Sequence, residues 1–244
     1  MEADSSRRIG RARALTLALA GQPNSGKSTV FNLLTGLDQH VGNWPGKTFD
    51  KREGHCDLDG GRLRVVDLPG TYALSAGSDE ERLARNFVIH ERPDVVAVVV
   101  DATALERSLY LVAELLALPS PIVVGLNMLD VAERQGIRVE PNVLEAALGV
   151  PVVPMVATRN QGVRDLAAAA ADVANRSRRY APRPPAVRVD HRQEHESLRE
   201  LVAGAVPPEY PDGWIALKLL EGDEEITELV RQRECPQRTH SVGE

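Results

Sequence analysis

Three short motifs in this sequence carry residues whose types and spacing suit nucleotide chemistry. The first, GQPNSGKS, fits the pattern G-x-x-x-x-G-K-[S/T] and directly follows an apolar run predicted to be a strand. In a loop between a strand and a helix, backbone amides surround a β-phosphate and the helix N-terminus adds positive potential. The lysine would reach the β- and γ-phosphates, and the serine hydroxyl would bind Mg²⁺. The residues predicted to contact the nucleotide here are Gly21, Pro23, Asn24, Ser25, Gly26, Lys27, Ser28 and Thr29.

The second motif, VVDLPG, follows another apolar run and contains a carboxylate and a glycine in the pattern D-x-x-G. Asp67 at the strand end could hold Mg²⁺ through water, and Gly70 offers a flexible amide to a γ-phosphate. The pattern is common at strand ends and is weak evidence by itself. A chance glycine-rich turn is likewise the alternative for the first motif, expected in about one chain in a hundred of this length.

The third motif, GLNMLD, places Asn127 and Asp130 at the end of a further apolar run. Ligands of parallel α/β sheets bind beyond the carboxyl ends of the strands. A carboxylate there can accept hydrogen bonds from guanine N1 and N2, a pair of donors that adenine does not have. Asp130 therefore predicts guanine over adenine, with a role as the start of the next helix as the alternative.

Predicted strands, which are short apolar runs, alternate along the sequence with predicted helices, and these elements must position the three motifs. Such alternation predicts a doubly wound α/β domain with a mostly parallel sheet of six strands and helices on both faces. The polar segment 50–58 is predicted to be an edge strand that forms a hairpin with 62–67. The other predicted strands are 14–20, 95–101, 121–127 and 151–155, and the predicted helices are 27–36, 80–91, 105–117, 140–148, 162–176, 191–205 and 213–232.

Composition narrows the possible partners. The 244 residues are 43% hydrophobic and 26% charged, as in ordinary globular proteins, and the net charge is −6. This charge gives no reason to expect nucleic acid or an anionic membrane surface as the main partner. Cys56 and Cys235 lie far apart and form no metal-binding or disulfide pattern, so a reducing cytoplasm fits. No apolar run approaches the roughly 20 residues that span a bilayer.

Together the motifs resemble the GTPase superfamily, and longer stretches resemble the N-terminal cytoplasmic region of the FeoB ferrous iron transport family. The stretches are GQPNSGKSTVFNLLTG, VGNWPGKTFDKREG, DLPGTYALSAGSDEE, NMLD and WIALKLLEGD, within about residues 14–230. The resemblance implies a Ras-like P-loop GTPase with a small helical accessory domain that slows GDP release. It also implies the cytoplasmic face of a bacterial inner membrane, with a transmembrane iron permease outside this chain, and leaves a homo-oligomer open.

The resemblance also divides the chain. The basic, proline-rich stretch RSRRYAPRPPAV marks a linker, and no strand is expected beyond it. The accessory domain is expected to be shorter than in the family, with a frayed tail. The expected units are a basic N-terminal extension (1–13), the GTPase domain (14–176), the linker (177–189) and the accessory, GDI-like domain (190–244).

By resemblance, further residues take roles at the site. Thr48 is expected to be the switch I threonine that binds Mg²⁺ and senses the γ-phosphate. Ala157, Thr158 and Arg159 occupy the loop that contacts guanine through its backbone. Met128 replaces the usual lysine of N-K-x-D, and its flexible apolar chain can cover the base face.

The resemblance also implies a K⁺ site. Thr71 stands where many small GTPases carry a catalytic glutamine, so another group must stabilise the charge that develops between the β- and γ-phosphates. Asn24 is expected to bind K⁺ together with switch I carbonyls near Gly42 and Trp44, and its alternative is a turn residue in the left-handed region. The residues expected to act in hydrolysis are Asn24, Lys27, Thr48 and Gly70.

Two other functions and one other metal site stay open. A stand-alone GTPase of ribosome or tRNA maturation would usually carry a basic RNA-binding module, which this sequence lacks. A nucleotide-sensing module would have negligible turnover, so a measurement of GTP hydrolysis with and without K⁺ would distinguish it from a GTPase. His191 and His195 have the i, i+4 spacing of metal ligands on a helix, but a solvated polar face gives the same spacing.

Overall fold

The computed structural model describes residues 14–44, 49–58, 61–75, 77–177 and 180–234. Within these residues a seven-stranded mixed sheet lies between two layers of helices, and three further helices follow it. The strands are β1 (Leu15–Gly21), β2 (Gln39–Asn43), β3 (Asp50–Leu58), β4 (Gly61–Asp67), β5 (Val95–Asp101), β6 (Ile122–Asn127) and β7 (Val152–Pro154). The helices are α1 (Lys27–Thr35), α2 (Asp79–Asn86), α3 (Leu105–Leu116), α4 (Leu129–Arg134), α5 (Pro141–Leu148), α6 (Val163–Ala174), α7 (Arg192–Val202), α8 (Asp212–Leu220) and α9 (Glu224–Glu234).

The sheet follows the order β2-β3-β4-β1-β5-β6-β7. Strands β4, β1, β5, β6 and β7 pair in parallel, and β2, β3 and β4 pair antiparallel. Parallel strands covered on both faces are apolar at every position, and β5 with its sequence VVAVVVD fits this rule. The doubly wound α/β class predicted from the alternation is confirmed.

The predicted count of six strands and the predicted edge position of segment 50–58 are wrong. Strand β2 pairs with β3 from Gln39 to Asn43 and forms the edge instead, although the hairpin between β3 and β4 is as predicted. Nearly every residue of β2 is exposed, so its sequence QHVGN has none of the apolar alternation by which strands are found.

Alternate residues of the central strands face two different cores. Val95, Ala97 and Val99 of β5 pack with α1 and α6 on one face of the sheet. Val96 and Val98, the alternate residues of the same strand, face the other core, which contains residues of α2 and α3. This second core continues into the helical part through the buried Trp214 and other apolar residues of α7–α9.

Two predicted helices differ from the structure. The helix predicted over 80–91 is α2 followed directly by a π-helix from Phe87 to Glu91, a form found often at functional sites. The helix predicted over 213–232 is two helices, α8 and α9. Gly222, with φ +76°, lies between them in the left-handed region that favours glycine.

The helical part is joined to the α/β part by buried charges as well as by apolar packing. Arg85 of α2 is 1% exposed, and its guanidinium lies 3.2 Å from Asp223 and 2.7 Å from Glu225. Within the part of the chain that the structure describes, none of the helices has the length and apolar character needed to cross a membrane.

Candidate nucleotide-binding site

The phosphate loop connects β1 to α1 as the sequence predicted. Gly26 precedes α1 with φ +90°, and a Cβ on it would lie 2.3 Å from Asn127 Nδ2. Gly21 is equally confined, because a Cβ there would lie 2.8 Å from the Val99 carbonyl oxygen. No side chain caps the first amides of α1. These amides and the Lys27 ammonium are therefore suited to an anion.

Lys27 and Asp67 meet at the carboxyl ends of β1 and β4. The Lys27 ammonium donates a hydrogen bond to the Asp67 carboxylate, and both side chains are about one-tenth exposed. Burial raises the pKa of Asp67, and the charge of Lys27 opposes that rise only in part. Ser28 lies exposed in the first turn of α1. A hydroxyl and a carboxylate are oxygen ligands of the kind that Mg²⁺ prefers, so these side chains fit the ion.

The D-x-x-G loop packs directly on the phosphate loop. The Thr71 amide donates a hydrogen bond of 3.2 Å to the Gly21 carbonyl oxygen. A Cβ on Gly70 would lie 3.4 Å from the Pro23 nitrogen, at ordinary contact distance. Thr71 itself is 4% exposed. The structure therefore brings the first two motifs together.

Asn127 joins the third motif to the other two. Its Nδ2 donates to the Ser25 carbonyl oxygen at 2.9 Å, and its Oδ1 accepts from the Ala157 amide at 3.0 Å. The side chain is buried, at 3% exposure. Asn127 therefore fixes the phosphate loop against the loop that begins at Ala157, whatever contact it makes with a nucleotide.

Asp130 lies in the first turn of α4, at the edge of this same region. Its carboxylate is 18% exposed and lies 3.5 Å from the Arg159 guanidinium and 3.6 Å from that of Arg134. An accessible carboxylate with cationic neighbours can accept hydrogen bonds from a base. The alternative of a residue that caps the next helix does not describe its place, because α4 begins at Leu129 after Met128 and Asp130 lies inside its first turn.

Met128 and the loop 157–159 surround Asp130. Met128 has φ +62°, and its terminal methyl lies 4.0 Å from the position of a Cβ on Gly26, so its side chain extends over the phosphate loop. Ala157 is buried in a short 3₁₀ turn, whereas Thr158 and Arg159 are exposed.

The predicted K⁺ ligands lie on two elements, the phosphate loop and the end of β2. Asn24 is exposed at the tip of the phosphate loop with φ +65°, the left-handed conformation of its alternative role. Gly42 pairs with Lys51 in the antiparallel ladder of β2 and β3. Trp44 is buried, and its ring packs edge-on against Phe87 with 5.6 Å between centroids. Thr48 lies outside the described residues, as do Cys235 and the extension 1–13.

Sequence reasoning missed one residue that holds the phosphate loop in place. Gln22 is buried, and its Nε2 donates to the Arg107 carbonyl oxygen at 2.6 Å. Gln22 occupies a variable position of the motif G-x-x-x-x-G-K-[S/T], so the motif does not indicate this role. Ser25 Oγ is buried without a hydrogen-bond partner among the described residues, at the wall of the loop.

The two histidines at the start of α7, His191 just before the helix and His195 within it, have different neighbours. His195 Nε2 lies 2.9 Å from the Gly213 carbonyl oxygen and so links α7 to α8. His191 is exposed beside Asp190. Across the described ranges, no group of three or more histidine, cysteine or acidic side chains is arranged to hold a metal ion.

The fold and the three converging motifs define a Ras-like P-loop GTPase domain followed by a helical domain. Residues 15–170 match the sequence profile of ferrous iron transport protein B, and residues 192–241 match that of the FeoB cytosolic helical domain. The chain belongs to the FeoB family, as the resemblance of its motifs predicted.

Curated and solved relatives agree with this assignment. The chain is 40% identical over 218 residues to the Fe(2+) transporter FeoB of Escherichia coli K12, covering 86% of this chain and 27% of that protein. It thus spans about a quarter of the length of the curated relatives it matches. The cytosolic domain of T. maritima FeoB in a GDP form is 30% identical with a TM-score of 0.85, covering 93% of this chain and 89% of that one. A point mutant of S. thermophilus NFeoB bound to GDP is 35% identical with a TM-score of 0.79, covering 88% and 82%.

Proposed function

We propose that this chain binds GTP and hydrolyses it slowly to GDP and phosphate, as the regulatory region of a bacterial ferrous iron transporter. The observation that carries the proposal is the convergence of the three motifs. The D-x-x-G loop bonds to the phosphate loop at Gly21, and Asn127 bonds to it at Ser25. The GDP complexes of relatives with the same fold support a guanine nucleotide as the ligand.

Guanine selectivity is assigned to Asp130. Its carboxylate would accept hydrogen bonds from N1 and N2 of the base. Arg159 and Arg134 lie beside this carboxylate and would leave it open to the base. The backbone of 157–159 and the Met128 side chain would bound the base on either side. Adenine does not present this pair of donors to the Asp130 carboxylate, so ATP would lose both hydrogen bonds.

Mg²⁺ would be held by Ser28 and, through water, by Asp67, with Thr48 as the third protein ligand. The ion would neutralise charge on the β- and γ-phosphates. Lys27 would exchange its pairing with Asp67 for the phosphate oxygens, because the ammonium of a phosphate loop lies within reach of both. The Gly70 amide would donate to the γ-phosphate.

K⁺ would be held by Asn24 and by carbonyl groups near Gly42 and Trp44, and it would supply positive charge to the transferring phosphoryl group. The exposed amide of Asn24 supports this assignment. Because Gly42 pairs with β3 in this structure, the assignment requires residues 41–44 to leave the sheet edge when GTP binds. Residues 41–43 are exposed and have little apolar burial to lose in such a change, whereas Trp44 would have to leave its buried contact with Phe87.

The transport role and its partners follow from the family. We propose that the transmembrane permease of the same system adjoins this region at the cytoplasmic face of the inner membrane. We also propose a GTPase domain over 14–176, a linker over 177–189 and a helical domain over 190–244 that slows GDP release. The absence of helix and strand over 180–188 and the two profile matches, 15–170 and 192–241, support these boundaries.

Displacement of labelled GDP tests the nucleotide assignment. GTP should displace the label and ATP should not, and Asp130→Asn should weaken GDP binding because one acceptor oxygen becomes a donor. Glu133→Gln, an exposed change in the same helix, is the matched control and should bind GDP as the unmodified chain does. Equal displacement by ATP and GTP would refute guanine selectivity.

Turnover at saturating GTP in K⁺ or Na⁺ tests the ion. K⁺ should raise kcat and Na⁺ should not, because Na⁺ is too small for such a shell. Asn24→Ala should remove most of the stimulation, since loss of one electrostatic stabiliser commonly costs roughly 10²-fold. GDP affinity should change little, because the charge develops in the transition state. Equal rates in K⁺ and Na⁺ would leave Asn24 as a turn residue only.

A further inference from the structure

A single buried carboxylate lies between the D-x-x-G loop and the helical domain. Glu114 of α3 is 6% exposed, and its two oxygens have different partners. One accepts a hydrogen bond from the Leu74 amide, and the other accepts one from the Lys218 ammonium of α8. Leu74 and Lys218 are 1% and 0% exposed. Glu114 thus contacts both parts of the molecule at once.

The loop that Glu114 holds is the one that contacts the phosphate loop. Three residues before Leu74, the Thr71 amide donates to the Gly21 carbonyl oxygen. The segment Gly70–Leu74 is therefore attached at one end to the phosphate loop and at the other to Glu114. A displacement of Glu114 would move a segment only a few residues from the predicted γ-phosphate contact at Gly70.

The position of Glu114 in turn depends on Lys218. A buried carboxylate needs its countercharge close by, and Lys218 is the cation that supplies it here. Burial by itself would lower the pKa of Lys218, but the carboxylates of Glu114 and Glu221 together outweigh that effect and leave the pKa raised. The ammonium also lies 2.8 Å from the carboxylate of Glu221, which is more than one-third exposed. The ammonium therefore links Glu114 of α3 to Glu221 at the end of α8.

We propose that Glu114 and Lys218 are positioning residues through which the helical domain holds the D-x-x-G loop and thereby sets the rate of GDP release. This proposal rests on the proposed function, because it concerns the same nucleotide site. The helical domain acts through Leu74, and it touches neither the base nor the phosphates. Slow release requires the charged pair, and mere packing of α8 is insufficient.

Amide exchange at Leu74 and the rate of labelled GDP release, both on the full 244-residue chain, test the proposal. Lys218→Met removes the countercharge and should accelerate both about fivefold or more, the lower end of usual coupling between sites. The double variant Glu114→Gln/Lys218→Met leaves no charge buried alone, so its fold is kept. It should regain thermal stability relative to Lys218→Met, while GDP release stays fast.

Two controls separate positioning from general destabilisation. Glu221→Gln removes only the exposed partner of Lys218 and should leave Leu74 exchange and GDP release unchanged. Tyr180→Phe removes a hydrogen bond of 3.0 Å to the Ile122 amide, away from the loop, and should lower stability without accelerating release. Acceleration in Tyr180→Phe equal to that in Lys218→Met would overturn the proposal.

Exchange at Leu74 is measured without nucleotide, so it tests the link even if the chain should fail to bind GDP. Failure of GDP binding would refute the proposed function alone. Unchanged Leu74 exchange in both Lys218→Met and the double variant would overturn the link alone. Recovery of slow GDP release in the double variant would also overturn it, because it would show that neutrality is enough.

Discussion

Asn127 offers the most direct test of how the site is assembled, because it hydrogen-bonds to two different loops. Replacement by alanine removes the donor to the Ser25 carbonyl and the acceptor for the Ala157 amide. The side chain is 3% exposed, so water cannot simply replace it. An unsatisfied buried polar group costs about 1–3 kcal/mol, and two therefore cost about 2–6 kcal/mol.

That loss should be visible as a fall in melting temperature. For a domain of 150–250 residues, 1 kcal/mol corresponds to about 2–4 °C, so the expected fall is about 4–24 °C. Thermal unfolding is followed by circular dichroism without nucleotide and again with GDP. Asn127→Asp keeps the acceptor for Ala157 but turns a carboxylate towards the Ser25 carbonyl oxygen, and it should also be destabilising. The exposed Asn142→Ala of α5 is the control and should melt as the unmodified chain does.

GDP should stabilise Asn127→Ala less than it stabilises the unmodified chain, because the loops that surround the nucleotide are no longer joined. A melting temperature of Asn127→Ala equal to that of Asn142→Ala would refute the reasoning. It would mean that the two loops are held by contacts other than these hydrogen bonds.

Three further changes test separate features. Gly26→Ala places a Cβ against the buried side-chain amide of Asn127, at a backbone φ of +90°. GDP binding measured by calorimetry should therefore fall sharply. An unchanged affinity would contradict the confinement of this glycine. Thr71→Ala keeps the backbone bond to the phosphate loop and should change kcat by less than about tenfold, or about 1.4 kcal/mol, so a loss of several hundredfold would show a catalytic role for the hydroxyl. Burial would raise the pKa of Glu53, but the charges of Lys51 and Arg64 outweigh burial and lower that pKa. Glu53 therefore stabilises the fold at pH values above its unfolded pKa of about 4.3. Glu53→Gln should therefore lower the melting temperature at pH 7 but not once the pH falls through the lowered pKa, and an equal difference at both pH values would contradict this sign.

The predictable part of the fold is the part encoded by local patterns. Strands β1, β5 and β6 are mostly apolar runs, and β1 and β6 end at the motif residues Gly21 and Asn127, so the sequence predicts both the sheet and the edge where the site forms. Strand β2 escaped prediction because it is stabilised by pairing with β3 and has no buried face of its own. The π-helix after α2 likewise carries no periodicity that differs from that of an α-helix.

The site was predictable as a set of residues but not as a set of contacts. The motifs specify which residues gather, since the carboxyl ends of parallel strands share one edge. The hydrogen bond of Gln22 spans 85 positions, and those of Asn127 span 102 and 30 positions, so only the folded chain defines these contacts. Glu114 and Lys218 each stand alone in an apolar stretch, LVAELLAL and WIALKLL, which signals a buried charge. Their pairing across 104 positions could not be predicted.

The central claim is that this chain is a guanine-specific phosphohydrolase, and steady-state phosphate release tests it most directly. The measurement compares GTP with ATP at equal concentration, in K⁺ buffer with Mg²⁺. We predict slow, continuous phosphate release from GTP and none above background from ATP, because the proposed contact of Asp130 would accept two donors that adenine does not carry. Absence of release from GTP, or equal release from ATP, would contradict the account.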